Sequence, residues 1–210
     1  MLLCLLLAGC DGVSFRQPQP EGASLLSRFP DNLLGSYGAN DSIRFLEIAG
    51  DRLIRYAEFD QVVHKDSLGA GYVLRGDTLT DPAGKKELVR RQGDAVIRHQ
   101  HIEEYTFQIS DSGVLKKYKG SYFLNRPQGK DRWEVTRLVP GKDRVVMGYI
   151  SDSSEIARLE EITETPAAPA DSIHHVFQPT RKQFRQFIRQ DGFGSRDTFY
   201  RVAGMIKPNR

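Results

Sequence analysis

The chain contains little of what covalent cross-linking or motif-based catalysis requires. Of its 210 residues only two are cysteines, Cys4 and Cys10. Residues 11–210 therefore offer no disulfide, no thiolate metal ligand and no cysteine nucleophile. The sequence also lacks Gly-x-Ser-x-Gly, His-Glu-x-x-His, Gly-x-Gly-x-x-Gly and a Walker loop, which mark several large enzyme classes. No enzyme class is indicated, and we do not expect catalytic residues.

A surplus of charge of one sign is lacking as well. The 30 basic and 27 acidic residues are spread along the chain and give a formal net charge of +3. Such a balance does not indicate nucleic acid as a partner. Hydrophobic residues make up 39% of the sequence, which suffices for a core and is too much for a disordered chain. The length suits one domain, or one domain with appendages.

The N-terminus carries an apolar run at residues 2–7, which is too short to span a bilayer because spanning takes about 20 apolar residues. The small residues Ala8 and Gly9 and then Cys10 follow it, and the sequence beyond them turns polar. This arrangement resembles the lipobox of bacterial lipoproteins. The resemblance implies that the Cys10 thiol receives a diacylglycerol, that the chain is cut before Cys10, and that the new amino group is acylated.

The lipobox resemblance also implies where the protein works. It predicts a cell-envelope protein, anchored to the inner or the outer membrane, whose lipid bilayer is its first partner. The covalent lipid on Cys10 is the only cofactor that we expect. A polar, Pro-rich stretch follows at residues 11–27 and is typical of a flexible tether.

From Phe29 onward, short alternations of apolar and polar residues are separated by Gly, Asp and Pro, which is typical of antiparallel strands. Gly-Asp pairs at 50–51, 76–77 and 93–94 have the chemistry of hairpin turns. The predicted fold class is mainly β, a β-rich α+β fold in which an antiparallel meander forms a barrel or a sandwich. The main strands are predicted at residues 34–37, 43–48, 53–56, 105–109, 115–124, 133–138, 145–150, 173–177 and 198–202.

Leu34-Gly35-Ser36-Tyr37, followed by a meander, resembles the start of lipocalin-type barrels, in which Gly-x-Trp stands near the first strand. Here Tyr37 takes the place of the Trp. The resemblance implies a barrel shape for residues 30–150, and it implies no ligand site.

Two helices are expected after this region. Asp152, with Glu155 three residues later, resembles a capping box that opens a short helix, and a short strand is the alternative. A C-terminal amphipathic helix is predicted to begin after Thr180 and to end at Gly192 as its C′ residue. The predicted organisation is a signal peptide at 1–9, a lipidated cysteine and flexible tether at 10–28, an antiparallel β domain at 29–164, a linker or loop at 165–172, and a strand-helix-strand appendage at 173–210 that packs on the β domain.

His99, His101 and Glu103 form the sharpest candidate site. Their spacing by two places all three on one face of a continuous strand, as in a His-x-His metal site. The register of Tyr105 and the residues after it would make that face the inward one, unless a bend intervenes before Glu103. The alternative is a polar strand surface.

Basic residues form a second candidate. Arg181, Lys182, Arg185 and Arg189 lie opposite the apolar side of the C-terminal helix, where they would contact anionic lipid or an acidic partner. The alternative is a surface helix whose charges are simply solvated. The lysines within residues 116–119 suggest either a polyanion surface or protection of a strand from aggregation.

Taken together, these features predict a membrane-anchored lipoprotein with a non-catalytic binding or envelope role. The expected partner is an envelope protein or a small ligand, in addition to the bilayer. The alternative function is a metal-dependent envelope hydrolase that uses His99, His101 and Glu103.

Overall fold

The computed structural model describes residues 12–110, 113–164 and 174–202. Antiparallel β-structure dominates these residues, which confirms the prediction of a mainly β fold. The strands are β1 (Gly12–Phe15), β2 (Ser24–Leu26), β3 (Gly35–Gly38), β4 (Arg44–Ile48), β5 (Arg52–His64), β6 (Val73–Arg75), β7 (Thr78–Thr80), β8 (Lys86–Gln92), β9 (Ala95–Gln108), β10 (Val114–Tyr118), β11 (Ser121–Pro127), β12 (Trp133–Pro140), β13 (Arg144–Tyr149), β14 (His174–Phe177) and β15 (Ser195–Arg201). The helices are α1 (Ser153–Thr163) and α2 (Arg181–Arg189).

One sheet contains all fifteen described strands. Its order is β2-β10-β11-β12-β13-β15-β3-β4-β5-β9-β8-β7-β6, and β1 joins it beside β12 while pairing with β14. The order ends at β2 on one side and at β6 on the other, so the sheet is not closed into a barrel. The closed barrel that the lipocalin-like start implied is therefore not formed.

The main core lies on one face of this sheet. Phe107 of β9 and Leu115 of β10 belong to the same buried cluster, although eight steps of the strand order separate their strands. The sheet must therefore curl around the cluster. Strand alternation explains which residues take part, because successive side chains point to opposite faces. Leu46 and Ile48 of β4, and Val145 and Met147 of β13, are accordingly buried in this cluster at every second position.

The two helices cover the opposite face of the sheet. Phe15 of β1, Phe177 of β14, and Phe184 and Phe193 at α2 and its following turn are all fully buried there. The rings of Phe15 and Phe184 meet edge to face, with centroids 5.9 Å apart. This second cluster ties the first described strand to the last helix.

The segment predicted to be a flexible tether, residues 10–28, belongs to the folded body from Gly12 onward. β1 pairs in parallel with β14, and β2 pairs with β10. The tether prediction is wrong for residues 12–28, because Phe15 is buried in the second cluster and the backbone of both strands is hydrogen-bonded to the sheet.

Polar contacts hold the stretch between these two strands. The backbone N–H of Gln19 donates a hydrogen bond to the side-chain oxygen of buried Asn125 at 2.5 Å. Lys116 Nζ donates to the carbonyl oxygens of Pro18 and Pro20 at 2.7 and 3.0 Å. Lys116 is therefore an internal clamp, and its burial lowers the pKa of its amine.

The C-terminal segment is also more than an appendage. β15 lies inside the sheet between β13 and β3, and pairs with both. β14 joins the sheet through β1, and α2 packs on a face of the sheet. The predicted linker at 165–172 lies outside the described residues. The appendage prediction missed that β15 fills a gap in the sheet order.

Both predicted helices are present. Thr180 caps α2 through a capping box with Gln183. The left-handed residue after α2 is Asp191, at φ 63°, and not Gly192. Gly192 N–H donates to the Phe187 carbonyl, five residues earlier, at 3.0 Å. This is the 6→1 hydrogen bond of a Schellman motif.

The strand predicted at 115–124 is in fact the hairpin of β10 and β11. Lys119 and Gly120 form its two-residue turn, with φ of 47° and 78°. Positive φ at both positions is the geometry that reverses a chain in two residues. The sequence signal was weak because Lys stands where such turns usually have Asn or Asp.

Candidate functional site

Cys10, the predicted lipidation site, lies outside the described residues, and β1 begins two positions after it. Two residues of extended chain reach at most about 7 Å. Whatever is attached to Cys10 is therefore held close to the Gly12 end of β1.

His99, His101 and Glu103 do lie on one face of β9, as their spacing predicts, but that face is exposed rather than inward. Along the long hairpin of β5 and β9, Glu103 is opposite Tyr56. One pair further on, Arg55 is opposite Tyr105, so Glu104 is an additional residue in β9. This bulge reverses the alternation, because Tyr105 is buried in the core while the three candidates beyond it face solvent.

The two histidines are directed at separate carboxylates. His99 Nδ1 lies 3.3 Å from Asp60 Oδ1, and His101 Nδ1 lies 3.0 Å from Glu58 Oε1. The His101 ring also packs on the Tyr56 ring, with centroids 4.8 Å apart. Among residues 12–110, 113–164 and 174–202, no group of three His, Cys, Asp or Glu side chains is arranged to hold a metal ion. Cross-strand contacts with Asp60 and Glu58 on an exposed face account for the two histidines.

The basic residues of α2 are placed as the sequence predicts. Arg181, Lys182, Arg185 and Arg189 fall within a sector of about 100° of the helix at 3.6 residues per turn, and Phe187 is buried on the opposite side. Within the described part of the chain, no carboxylate oxygen lies within 4.0 Å of any of the four cations.

The N-terminal half of α2 and the turn of the β10–β11 hairpin form an open, shallow groove. The Arg181 guanidinium carbon lies 5.1 Å from the centre of the Tyr118 ring. We call this surface the α2 groove, and its lining residues are Tyr118, Lys119, Arg181, Lys182 and Arg185. The helical part of this groove is predictable from the sequence, whereas the wall that the hairpin turn supplies depends on the fold.

A third cluster was not anticipated. Arg55 Nη1 donates to Asp197 Oδ2 at 2.9 Å and to the Tyr149 hydroxyl at 2.7 Å. Arg44 Nη1 donates to the other oxygen of Asp197 at 2.6 Å, and Arg55 Nε lies 3.1 Å from Glu104 Oε2. Burial raises the pKa of the Tyr149 hydroxyl well above its usual value. These groups, which we call the ionic layer, lie just beyond the apolar core at one end of the curled sheet.

The neighbouring strands continue the ionic layer. Arg126 donates from two nitrogens to Glu134 Oε2, at 2.6 and 3.1 Å, and its guanidinium carbon lies 4.6 Å from the centre of the Tyr105 ring. Burial raises the pKa of Tyr105 to about 12. The buried hydroxyls of Tyr105 and Thr136 face each other without a hydrogen bond of good geometry.

A sequence signal for the ionic layer exists. Several charged residues stand two positions beyond a core residue of the same strand, as Arg44 does beside Leu46 and Arg55 beside Leu53. Because side chains alternate with period two, each such charge continues the inward face. The arginines of the layer are each matched by a carboxylate, so it neutralises itself and closes the end of the core.

Comparison of the chain with protein-family models, with curated proteins and with solved structures finds no match. Among the helices of residues 12–110, 113–164 and 174–202, none combines the length and the apolar character needed to cross a membrane.

Proposed function

We propose that this chain is a bacterial lipoprotein, anchored to a membrane of the cell envelope through lipid on Cys10, whose β-rich body has a binding role and no catalytic one. The observation that carries the proposal is the apolar run at residues 2–7 followed by Ala8, Gly9 and Cys10. A diacylglycerol on the thiol and an acyl group on the amine contribute about 0.8 kcal/mol for each buried CH₂, which makes the anchor essentially permanent.

The fold sharpens this proposal. A flexible tether would hold the body away from the headgroups, whereas β1 begins at Gly12, two residues after the cysteine. With at most about 7 Å of chain between the two, the body sits directly on the bilayer. Its orientation there is set by the Gly12 end of β1.

Two features favour binding over catalysis. The arginines and carboxylates of the ionic layer are paired with one another, and His99 and His101 each contact a carboxylate of β5. The concave side of the sheet is filled by large buried side chains such as Phe29, Phe107 and Phe199, which favours a surface contact over a small ligand in an interior cup.

Fatty-acid labelling and cell fractionation test the proposal. The full chain should incorporate labelled palmitate and fractionate with membranes, and Cys10→Ser should abolish both. Cys4→Ser is the matched control, because that residue lies in the segment that is cut off, and it should leave labelling unchanged. Labelling that survives Cys10→Ser, or a wild-type protein that is unlabelled and wholly cytosolic, contradicts the proposal.

A further inference from the structure

We propose that the α2 groove is the surface through which the folded body contacts the phosphate headgroups of an anionic bilayer. The inference rests on the proposed lipid anchor, since the anchor is what brings the groove to a membrane.

The α2 groove carries positive charges that no carboxylate of the described residues neutralises. The chain as a whole is nearly balanced, at +3. Three cations of α2 nevertheless share the groove with Lys119, and within the described residues no carboxylate oxygen lies within 4.0 Å of these four. The arginines of the ionic layer, by contrast, are all paired. The groove therefore presents a net positive surface to an external partner.

The position of these cations in α2 is electrostatically unfavourable in the protein alone. Arg181 and Lys182 occupy the first turn of α2, which contains no acidic residue. The positive end of the helix dipole repels cations in this turn, and Arg185 repels Arg181 because it lies one turn further along the helix. Phosphate groups in the groove would offset both repulsions.

The α2 groove lies near the segment that follows the anchor. β1 spans about 10 Å from Gly12 to Phe15 at roughly 3.3 Å per residue, and Phe15 packs directly on Phe184 of α2. Further along the same segment, a Cβ at Gly22 would lie 3.9 Å from Arg181 Nη1. The chain that leaves the anchor therefore passes the N-terminal half of α2, and this places the groove close to the headgroups.

The spread of the charges favours a membrane over a single bound phosphate. From Arg181 to Arg189 the basic side of α2 extends about 12 Å at 1.5 Å per residue, which is longer than a single phosphate group. Such a row matches many headgroups at once. The half-buried ring of Tyr118 adds an aromatic group of the kind that is favoured at membrane interfaces.

Vesicle partitioning of the full chain with Cys10→Ser isolates the body from the anchor. Binding is measured to pure phosphatidylcholine vesicles, which report the contribution of the apolar leader, and to vesicles that also contain phosphatidylglycerol. Each basic residue at an anionic surface contributes about fivefold to the partition coefficient. The triple variant Arg181→Gln, Lys182→Gln, Arg185→Gln should therefore lower the phosphatidylglycerol-dependent increment by about a hundredfold.

The matched control is Arg75→Gln, Lys85→Gln, Lys86→Gln, which removes the same charge from exposed positions in β6, in β8 and just before β8, at the other end of the strand order from the β10–β11 hairpin. It should leave the increment nearly unchanged, and circular dichroism should show that both variants are folded. The increment should also fall as ionic strength rises.

Several results would overturn the proposal. The first is that phosphatidylglycerol does not increase binding, and the second is that both triple variants lose the increment equally. The third is that millimolar inorganic phosphate abolishes the increment by occupying the groove. Each leaves the lipid anchor untouched, because that is tested separately by labelling at Cys10.

Discussion

Removing the ring of Phe15 tests whether the N-terminal segment is structural. Phe15 is fully buried between Phe177 and Phe184, with ring centroids 6.4 and 5.9 Å away. Phe15→Ala leaves a cavity in the cluster that joins β1 to α2. If residues 12–28 detached together, the body would hang from a linker that reaches to residue 28 instead of one that ends at Gly12.

The magnitude follows from the burial of the ring. Phe→Ala in a packed core costs about 3–5 kcal/mol. For a protein of about this size, each kcal/mol lowers the melting temperature by roughly 2–4 °C, so we expect a fall of roughly 6–20 °C. Detachment of residues 12–28 would also lengthen the flexible reach from about 7 Å to about 24 Å, taking 5–6 Å times the square root of the residue number.

Thermal unfolding followed by circular dichroism measures the first effect, and limited proteolysis between residues 12 and 28 measures the second. Leu25→Ala is the control, because Leu25 lies in the same segment but is 69% exposed, and its loss should change stability by less than about 0.5 kcal/mol. The reasoning fails if Phe15→Ala melts with the wild type and gains no cleavage site in this segment.

Three further predictions concern the ionic layer and the histidine face. Asp197→Asn removes the carboxylate that pairs with both Arg44 and Arg55 and should cost about 1–3 kcal/mol in denaturant unfolding, whereas Asp31→Asn, in an exposed pair, should cost less than about 1 kcal/mol; equal costs would contradict this reading of the ionic layer. Burial raises the pKa of Tyr105 to about 12, so its contribution to the unfolding free energy is complete below about pH 10 and is lost as the pH rises toward 12. Tyr105→Phe should therefore reduce the fall in unfolding free energy between about pH 10 and 12 by about 2–3 kcal/mol. An unchanged pH dependence would argue against this assignment. Purified full chain and His101→Ala should contain the same negligible zinc by elemental analysis, and stoichiometric zinc lost on substitution would restore the metal site.

Local chemistry made much of the sheet predictable. The Gly-Asp pairs at 76–77 and 93–94 do form hairpin turns, with Gly76 and Gly93 at positive φ. The capping residues of both helices were also readable, because a side-chain oxygen at Asp152 or Thr180 satisfies a free backbone N–H of the first turn.

Long-range pairing was not predictable. Residues 12–28 are rich in Pro, Gly and Gln, a composition that favours a tether, and only their contacts with β10, β12 and β14 make them structural. The place of β15 between β13 and β3 likewise depends on strand order, which alternation does not encode.

The placement of the candidate site residues was likewise predictable where it depends on local spacing, but not where it depends on strand pairing. The spacing of His99 and His101 correctly placed them on one face, but the bulge at Glu104 decided which face it was. A single additional residue in a strand exchanges inside and outside, and no turn residue marks it. The basic stripe of α2 was readable from helical periodicity, whereas Lys119 across the groove required the fold.

The account depends on lipid at Cys10, and mass spectrometry of the protein extracted from bacterial membranes tests it most directly. We expect a mature chain that begins at Cys10 and carries a diacylglycerol on the thiol and an acyl group on the amine. A protein that retains residues 1–9 with an unmodified Cys10 would contradict the central claim.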